Sequence, residues 1–518
     1  MGFELTLIRY IITCMTKHLR AWYPIVIISL ILVALYFTTR LYHLTSLPIF
    51  TDEAIYIRWA QIGGRDASWR FISLTDGKQP MFAWALMLFL RLIPGDPLFV
   101  GRLTSVAFGF LGMVAMGLAG GTIFKSKKAG VISAVLYLIY PNSFLYDRMA
   151  LYDSAVGMFS LLSLTIGIWM TRSLTLSGSL LFGMALGMGM LNKTSGFLSL
   201  YLSPLFILLI DWTKKGFVKR VGFWMLLTGI AFVLSQIFYS VLRLSPYFYI
   251  IAQKDTIFVY PYAEWITHPW TFFLGNLHGI WDWTQTYVTY PVLLAALGAF
   301  FVNFRFTKEK LILLAWYIAP VCGLALFGKV LYPRFIFFMT LPLLLLSAYT
   351  LTYIWERMKN KWLAFVICTV VLFQMVRLSA MILNDIKSAP LGRSDKGQYV
   401  NDWPSGWGAK EVAEFLKVES EKGPVAVYTE GTFGLLPYAF EIYLDGVPNI
   451  EIHGLWPMPA DIPPEIIESS EAKPTYFVTN LSQGTPDWPL TFISEYQKGL
   501  NGTSFMKLYQ VRPPSVSQ

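Results

Sequence analysis

Residues 48–59 read Pro-Ile-Phe-Thr-Asp-Glu-Ala-Ile-Tyr-Ile-Arg-Trp, and they open the chemistry of the chain with two adjacent carboxylates, Asp52 and Glu53. The pair follows an apolar run over residues 21–50 that is long enough to cross a bilayer, which takes about 20 such residues. Carboxylates at the membrane–water boundary are costly unless they face water, a cation or a polar cavity, so the pair marks a candidate site. The plainer reading is a solvated start to a loop. A carboxylate held beside a substrate hydroxyl can take its proton as general base, a step worth about 10²–10⁴ in rate.

Other charged residues gather where apolar runs end. Arg58, Lys78, Arg148, Asp153, Lys193, Arg243, Lys329 and Arg334 join Asp52 and Glu53 at what charge asymmetry predicts to be the outer membrane face. A purely structural helix bundle does not need so many charges on one face. Lysine and arginine neutralise phosphate, arginine in a bidentate way. Fixed cations also stabilise a phosphate as it departs. The aromatic loop expected at 244–288, with Tyr260, Tyr262, Trp265, Trp270, Trp281 and Trp283, offers flat faces for a sugar. Its bland alternative is an ordinary interfacial aromatic belt, just as outer arginines can serve lipid head groups.

The elements that must position these residues are membrane helices. Of 518 residues, 55% are hydrophobic and 14% charged, against about 25% charged in soluble domains. Apolar segments at about 22–44, 98–124, 129–146, 154–171, 176–191, 196–211, 221–243, 289–304, 311–328, 335–354 and 362–383 predict about eleven spans. This arrangement puts every basic cluster inside and the N-terminus in the cytoplasm. Residues 79–93 are short for a span and contain Arg91, so they predict an interfacial helix. Counting them as a twelfth span would carry Lys125, Lys127 and Lys128 to the outer face. The start of the chain, with Arg9, Lys17 and Arg20, predicts a retained first span rather than a cleavable signal.

Charge and texture divide the chain. Residues 1–383 hold 31 Lys and Arg against 14 Asp and Glu, whereas residues 384–518 hold 10 against 17. The second part predicts a small extracytoplasmic α/β domain, with a helix at Glu411–Leu416 and strands at Val425–Tyr428 and Thr475–Val478. Asn480 and Asn501 begin glycosylation sequons, a weak three-residue signal. Cys14, Cys322 and Cys368 suggest neither a disulfide framework nor a metal site. The positive charge lies at the ends of apolar runs, which argues against nucleic acid as a partner.

In order along the chain stand Asp52-Glu53-Ala-x-Tyr56, Lys78-x-Pro80, Arg102-Leu-x-Ser105, Arg148-Met-Ala-Leu-Tyr-Asp153, Asn192-Lys193 and Tyr332-Pro333-Arg334-Phe335. This ordered set resembles the GT-C superfamily of membrane glycosyltransferases, in the branch of protein O-mannosyltransferases and lipid A aminoarabinose transferases. The resemblance covers about residues 20–350. It implies a GT-C fold with about eleven transmembrane helices plus interfacial helices, and a transfer of sugar from a polyprenyl-phosphate donor. It also implies catalytic roles for Asp52 and Glu53, with the acidic residue as general base, and a site-positioning role for Asp153. Lys78 is expected at the donor phosphate, Arg148 and Lys193 near the same pocket, and Tyr332 and Arg334 near the lipid phosphate. Asp147 matches no motif and reads as a loop residue. The usual Lys-Pro-Pro is replaced by Lys78-Gln79-Pro80.

The resulting expectation is an inverting glycosyltransferase of a bacterial inner membrane or its archaeal equivalent. Its acceptor would be a hydroxyl on an envelope glycan, a lipid or a protein. No cofactor is expected to be required, although an Asp-Glu-Asp set could bind a divalent cation through oxygen ligands. The competing class is a transporter or flippase of lipid-linked anions, which should show repeated halves and charges near mid-membrane. The chain has no evident internal repeat. A third class, a non-catalytic lipid- or sugar-binding membrane protein, would tolerate Asp52→Asn.

Overall fold

The computed structural model describes residues 23–513 except residues 483 and 501. Arg9, Lys17 and Arg20 of the basic flank, Cys14 and the second sequon's Asn501 lie outside the described residues. Helix α1 (Tyr23–Leu41) leads into α2 (Thr51–Arg65), which carries the carboxylate pair. Next come α3 (Met81–Leu92), α4 (Pro97–Phe124), α5 (Lys127–Ile139) and α6 (Pro141–Tyr146). They are followed by α7 (Asp153–Ser173), α8 (Leu176–Asn192), α9 (Phe197–Leu202) and α10 (Phe217–Ser240).

Seven helices among the described residues are long and apolar enough to cross a membrane. They include α1, α4, α7, the run Phe217–Leu244 that extends α10, and three further helices in the second half. The chain is a multi-pass membrane protein. Four segments expected as single spans are shorter or broken. Residues 127–146 bend at Tyr140-Pro141, where proline opens a new helix. Helix α8 has 17 residues, the Thr194–Leu209 segment mixes short α and 3₁₀ turns, and the 289–304 segment keeps helix only over Tyr290–Gly298.

Helix α3 has 12 residues, too short for a span of about 20. The 244–288 segment, expected as a loop, folds into α11 (Ile250–Phe258), α12 (Tyr262–Trp265) and α13 (Phe273–Val288). Helices α14 (Tyr290–Gly298), α15 (Thr307–Phe327), α16 (Phe337–Arg357) and α17 (Lys361–Asn384) complete the apolar part. The run Pro333–Arg357, which contains α16, is central: 94% of its apolar window is buried, against 22% for α17 and for Phe217–Leu244. Packing at the centre rather than apolarity alone thus separates the core helix from those facing lipid.

After α18 (Arg393–Lys396) and α19 (Ala409–Lys422) comes a five-stranded sheet. Its strands are β1 (Val425–Glu430), β2 (Ile450–Leu455), β3 (Thr475–Thr479), β4 (Leu490–Gln497) and β5 (Phe505–Val511), in the order β2-β1-β3-β5-β4. Strands β2, β1 and β3 run parallel, and β5 and β4 are antiparallel. The two expected strands are β1 and β3, and both are buried throughout. Continuous β-branched and aromatic runs suit a strand covered on both faces. Strands β2 and β4 mix partly buried and exposed residues, and β5 mixes buried, partly buried and exposed ones, so their sequence patterns are weaker.

The sheet region is fastened to α2. Helix α20 (Leu435–Tyr443) packs on α2, and Arg58 Nε lies 2.5 Å from Glu441 Oε2. Arg65 pairs with Asp445 further along the same helix.

Candidate functional site

Five segments bring charge to one place. Asp52 is the second residue of α2, where the free N–H groups and dipole of a helix start favour a carboxylate. Asp153 opens α7, Lys193 closes α8, and Arg334 sits in the 3₁₀ turn Pro333–Ile336 before α16. Lys78 follows Gly77, whose φ of +66° ends the preceding 3₁₀ turn in the left-handed region. A side chain at Gly77 would also meet Lys254 Cβ at 2.5 Å, so glycine is required there by strain and by space.

Two ion pairs organise the cluster. Arg334 Nη1 lies 2.7 Å from Asp52 Oδ2, with their side chains 11% and 23% exposed. Lys193 Nζ lies 2.9 Å from Asp153 Oδ1. Burial pushes the Asp52 carboxyl up, but Arg334, Lys78 and Lys193 together outweigh it and hold the group below the usual carboxylate range. Lys78 makes no ion pair among the described residues. Burial, opposed by Asp52 and reinforced by Lys193, pushes its ammonium down to about 8. Among these five residues three cations outnumber two carboxylates, while Asp76, which also acts on Lys78, is paired with Lys254 and Asp255 lies nearby. This arrangement can bind an anion and hold a carboxylate ionised beside it.

Aromatic rings collar the cations. Lys78 lies over Phe258 at 4.9 Å, and Lys193 over Phe335 at 5.0 Å. Arg334 lies 5.1 Å from the Tyr332 ring and 5.8 Å from Phe50. The ring faces supply negative potential without adding a competing carboxylate.

Glu53, expected to share the catalytic part with Asp52, lies outside this cluster. It is fully buried, and Arg102 binds it through both oxygens at 2.8 and 2.7 Å. The backbone N–H groups of Phe50 and Ala150 donate to the same carboxylate at 3.0 and 2.7 Å. Successive helical residues diverge by about 100°, so neighbouring carboxylates face different surroundings. Glu53 ties α2, α4 and the loop before α7 together and has no free acceptor for a substrate.

Arg148 is likewise elsewhere. Its Nη2 donates to the carbonyls of Tyr42 and His43 at 2.8 and 3.0 Å, and the charges it feels are those of Arg102 and Arg40. Asp147, read as a loop residue, is fully buried and accepts bonds from Tyr36, Tyr137 and Ser154. Among the described residues no three of His, Cys, Asp and Glu assemble as a metal cage. Each member of the Asp52–Glu53–Asp153 set instead faces a base, namely Arg334, Arg102 and Lys193 in turn.

Two groups near the cluster were not anticipated. Asp395 of α18 is fully buried and accepts hydrogen bonds from Tyr146, at 2.9 Å, and Tyr287. Burial, only partly offset by these tyrosines and Arg334, raises its carboxyl to about 7. Tyr399 packs edge-on against Phe50 at 4.8 Å. Both residues come from the segment after α17, where no motif or periodicity singled them out.

Residues 77–239 match the model of the dolichyl-phosphate-mannose-protein mannosyltransferase family. The structure is similar to that of ArnT from Cupriavidus metallidurans in the apo state, at 13% identity and a TM-score of 0.58. That match covers 95% of this chain and 98% of the other. The chain has the GT-C fold.

ArnT from the same organism bound to undecaprenyl phosphate matches with 13% identity, the same coverage and a TM-score of 0.55. The oligosaccharyltransferase AglB from Archaeoglobus fulgidus, in complex with an inhibitory peptide and a dolichol-phosphate, matches at 12% identity and a TM-score of 0.50. This last match covers 89% of this chain and 70% of that one. No curated protein sequence matches. The GT-C resemblance drawn from the ordered motifs is borne out in the fold, and the mannosyltransferase family model matches part of the chain.

Proposed function

We propose that this GT-C protein is an inverting glycosyltransferase that moves a sugar from a polyprenyl monophosphate to an acceptor hydroxyl. The observation that carries the reading is the Asp52–Arg334 pair beside Lys78, Lys193 and Asp153. The polyprenyl phosphates named with the ArnT and AglB structures support the donor class.

In this reading the donor phosphate enters the cluster and draws on Lys78, Lys193 and Arg334. Sharing Arg334 with the phosphate loosens its hold on Asp52, which raises the basicity of the carboxylate when substrate is present. Asp52 takes the proton of the acceptor hydroxyl as its oxygen bonds to the anomeric carbon. The bond from that carbon to the phosphate oxygen breaks, and polyprenyl phosphate departs with its added charge stabilised by the three cations. Asp153 fixes Lys193, and Tyr332 lies against Arg334 near the lipid phosphate.

We further assign eleven crossings, by counting the shorter and broken segments with the seven long helices. The N-terminus would then be cytoplasmic, with the site and residues 384–518 on the extracytoplasmic side of a bacterial inner membrane or archaeal equivalent. Radiolabelled sugar followed from a panel of polyprenyl-phosphate sugars tests the reading. Wild type should transfer or slowly hydrolyse one donor, and Asp52→Asn should bind that donor without consuming it. Lipid-linked sugar that crosses proteoliposomes unchanged with both proteins would overturn it.

A further inference from the structure

Residues 403–406 run as a strap between the sheet region and the start of α2. The Pro404 carbonyl accepts the Thr51 backbone N–H at 3.1 Å and the Thr51 hydroxyl at 3.0 Å. Phe50 and Ser405 form an antiparallel bridge. Gly406 allows this approach, because a Cβ there would stand 2.2 Å from the Ile49 carbonyl oxygen. The strap therefore holds the backbone of the two residues that precede Asp52.

Lys498 holds the strap in turn. It lies in the turn after β4, is fully buried and forms no ion pair among the described residues. Its Nζ donates to the carbonyls of Trp403 at 3.0 Å and Ser405 at 2.7 Å, and to the Asn480 side-chain oxygen. Asn480 Nδ2 donates to the same Trp403 carbonyl at 3.0 Å. An ammonium has three donors, and Lys498 meets three acceptors. A buried cation costs several kcal/mol unless its bonds are satisfied, so its use on a neutral strap calls for a reason beyond packing.

We propose that Lys498 is a positioning residue for Asp52: it clamps the 403–406 strap, and the strap fixes the first turn of α2. The clamp stands on these contacts alone. Its consequence for catalysis rests on Asp52 being the base. This gives the sheet region a part in the reaction without contact with substrate.

The clamp is sensitive to pH in a defined direction. Burial pushes the Lys498 ammonium down to about 7, against Asp402 and Glu430, the charged groups that face it. Below about pH 7 three donors meet three acceptors. Above it, the neutral amine has two donors and one acceptor goes unpaired.

Hydrogen exchange on the full chain in detergent tests the clamp directly. The Thr51 amide should exchange much faster in Lys498→Met than in wild type, while β1 and β3 stay protected. Equal protection of Thr51 in both proteins overturns the proposal. Should Lys498→Met fail to fold, wild-type Thr51 protection, corrected for intrinsic exchange, must fall as pH rises through neutrality; a flat profile overturns it. For catalysis, Lys498→Met should lower kcat by about 10- to 100-fold, the scale of a misplaced catalytic group, with the Kd for polyprenyl phosphate unchanged. A folded variant with a freed Thr51 amide and wild-type kcat refutes the positioning role. If wild type itself transfers no sugar while Thr51 responds as stated, the glycosyltransferase reading fails and the clamp stands.

Discussion

Arg334 Nη1 meets Asp52 Oδ2 at 2.7 Å, and this one contact joins the turn before the central helix to the first turn of α2. Burial pushes the Asp52 carboxyl up, and Arg334, with Lys78 and Lys193, holds it below the usual carboxylate range. With Asp52 as general base, Asp52→Asn should lower kcat by about 10²–10⁴ while leaving the Kd for polyprenyl phosphate close to wild type. The amide preserves shape and removes basicity, so single-turnover transfer beside donor binding separates the two effects. Wild-type turnover in Asp52→Asn would sink the assignment.

Lys78 gives the donor site a pH dependence. Its pKa is lowered to about 8, so the ammonium is charged below that pH and neutral above it. From about pH 7, above the second ionisation of the phosphate, affinity for polyprenyl phosphate should be level up to about pH 8 and fall beyond it. Lys78→Arg should push that fall out of range, because a guanidinium stays charged. Titration of Kd against pH checks this, and an identical profile in both proteins counts against Lys78 as a phosphate ligand.

Glu53 should behave as a structural group although it adjoins Asp52. Glu53→Gln leaves Arg102 buried without its counter-charge, a loss of about 3–5 kcal/mol for a broken buried pair. Asp52→Asn, on a more exposed carboxylate, should cost far less. Thermal unfolding of the two variants decides the matter; equal stability would contradict this division of labour.

Arg148 provides a control. Its guanidinium serves the carbonyls of Tyr42 and His43 rather than the cluster. Arg148→Ala should therefore leave the Kd for polyprenyl phosphate unchanged, whereas Lys78→Ala should raise it. A comparable rise in both would place Arg148 back at the phosphate.

Much of the fold was legible because its signals are local. A run of apolar residues ended by Lys or Arg states a membrane crossing without reference to the rest of the chain. Strands β1 and β3 were readable for the same reason, since burial on both faces leaves an unbroken apolar run. The sequence hid the breaks inside some expected spans, where length and apolarity suffice for a crossing while a proline interrupts the helix, as at Tyr140-Pro141.

The sequence by itself determined a basic, multi-pass membrane chain with acidic and basic residues at the ends of its apolar runs, in GT-C order. Tertiary structure decided which of those residues meet. Adjacent positions on a helix point about 100° apart, so Asp52 turns to Arg334 and Glu53 to Arg102. Arg148 and Lys193 were both expected near one pocket, yet only Lys193 reaches an acidic partner in the cluster. Lys498 lies 446 positions beyond Asp52 by their numbering. No local pattern relates the two, because their connection runs through backbone carbonyls, which every residue carries and only folding brings into place.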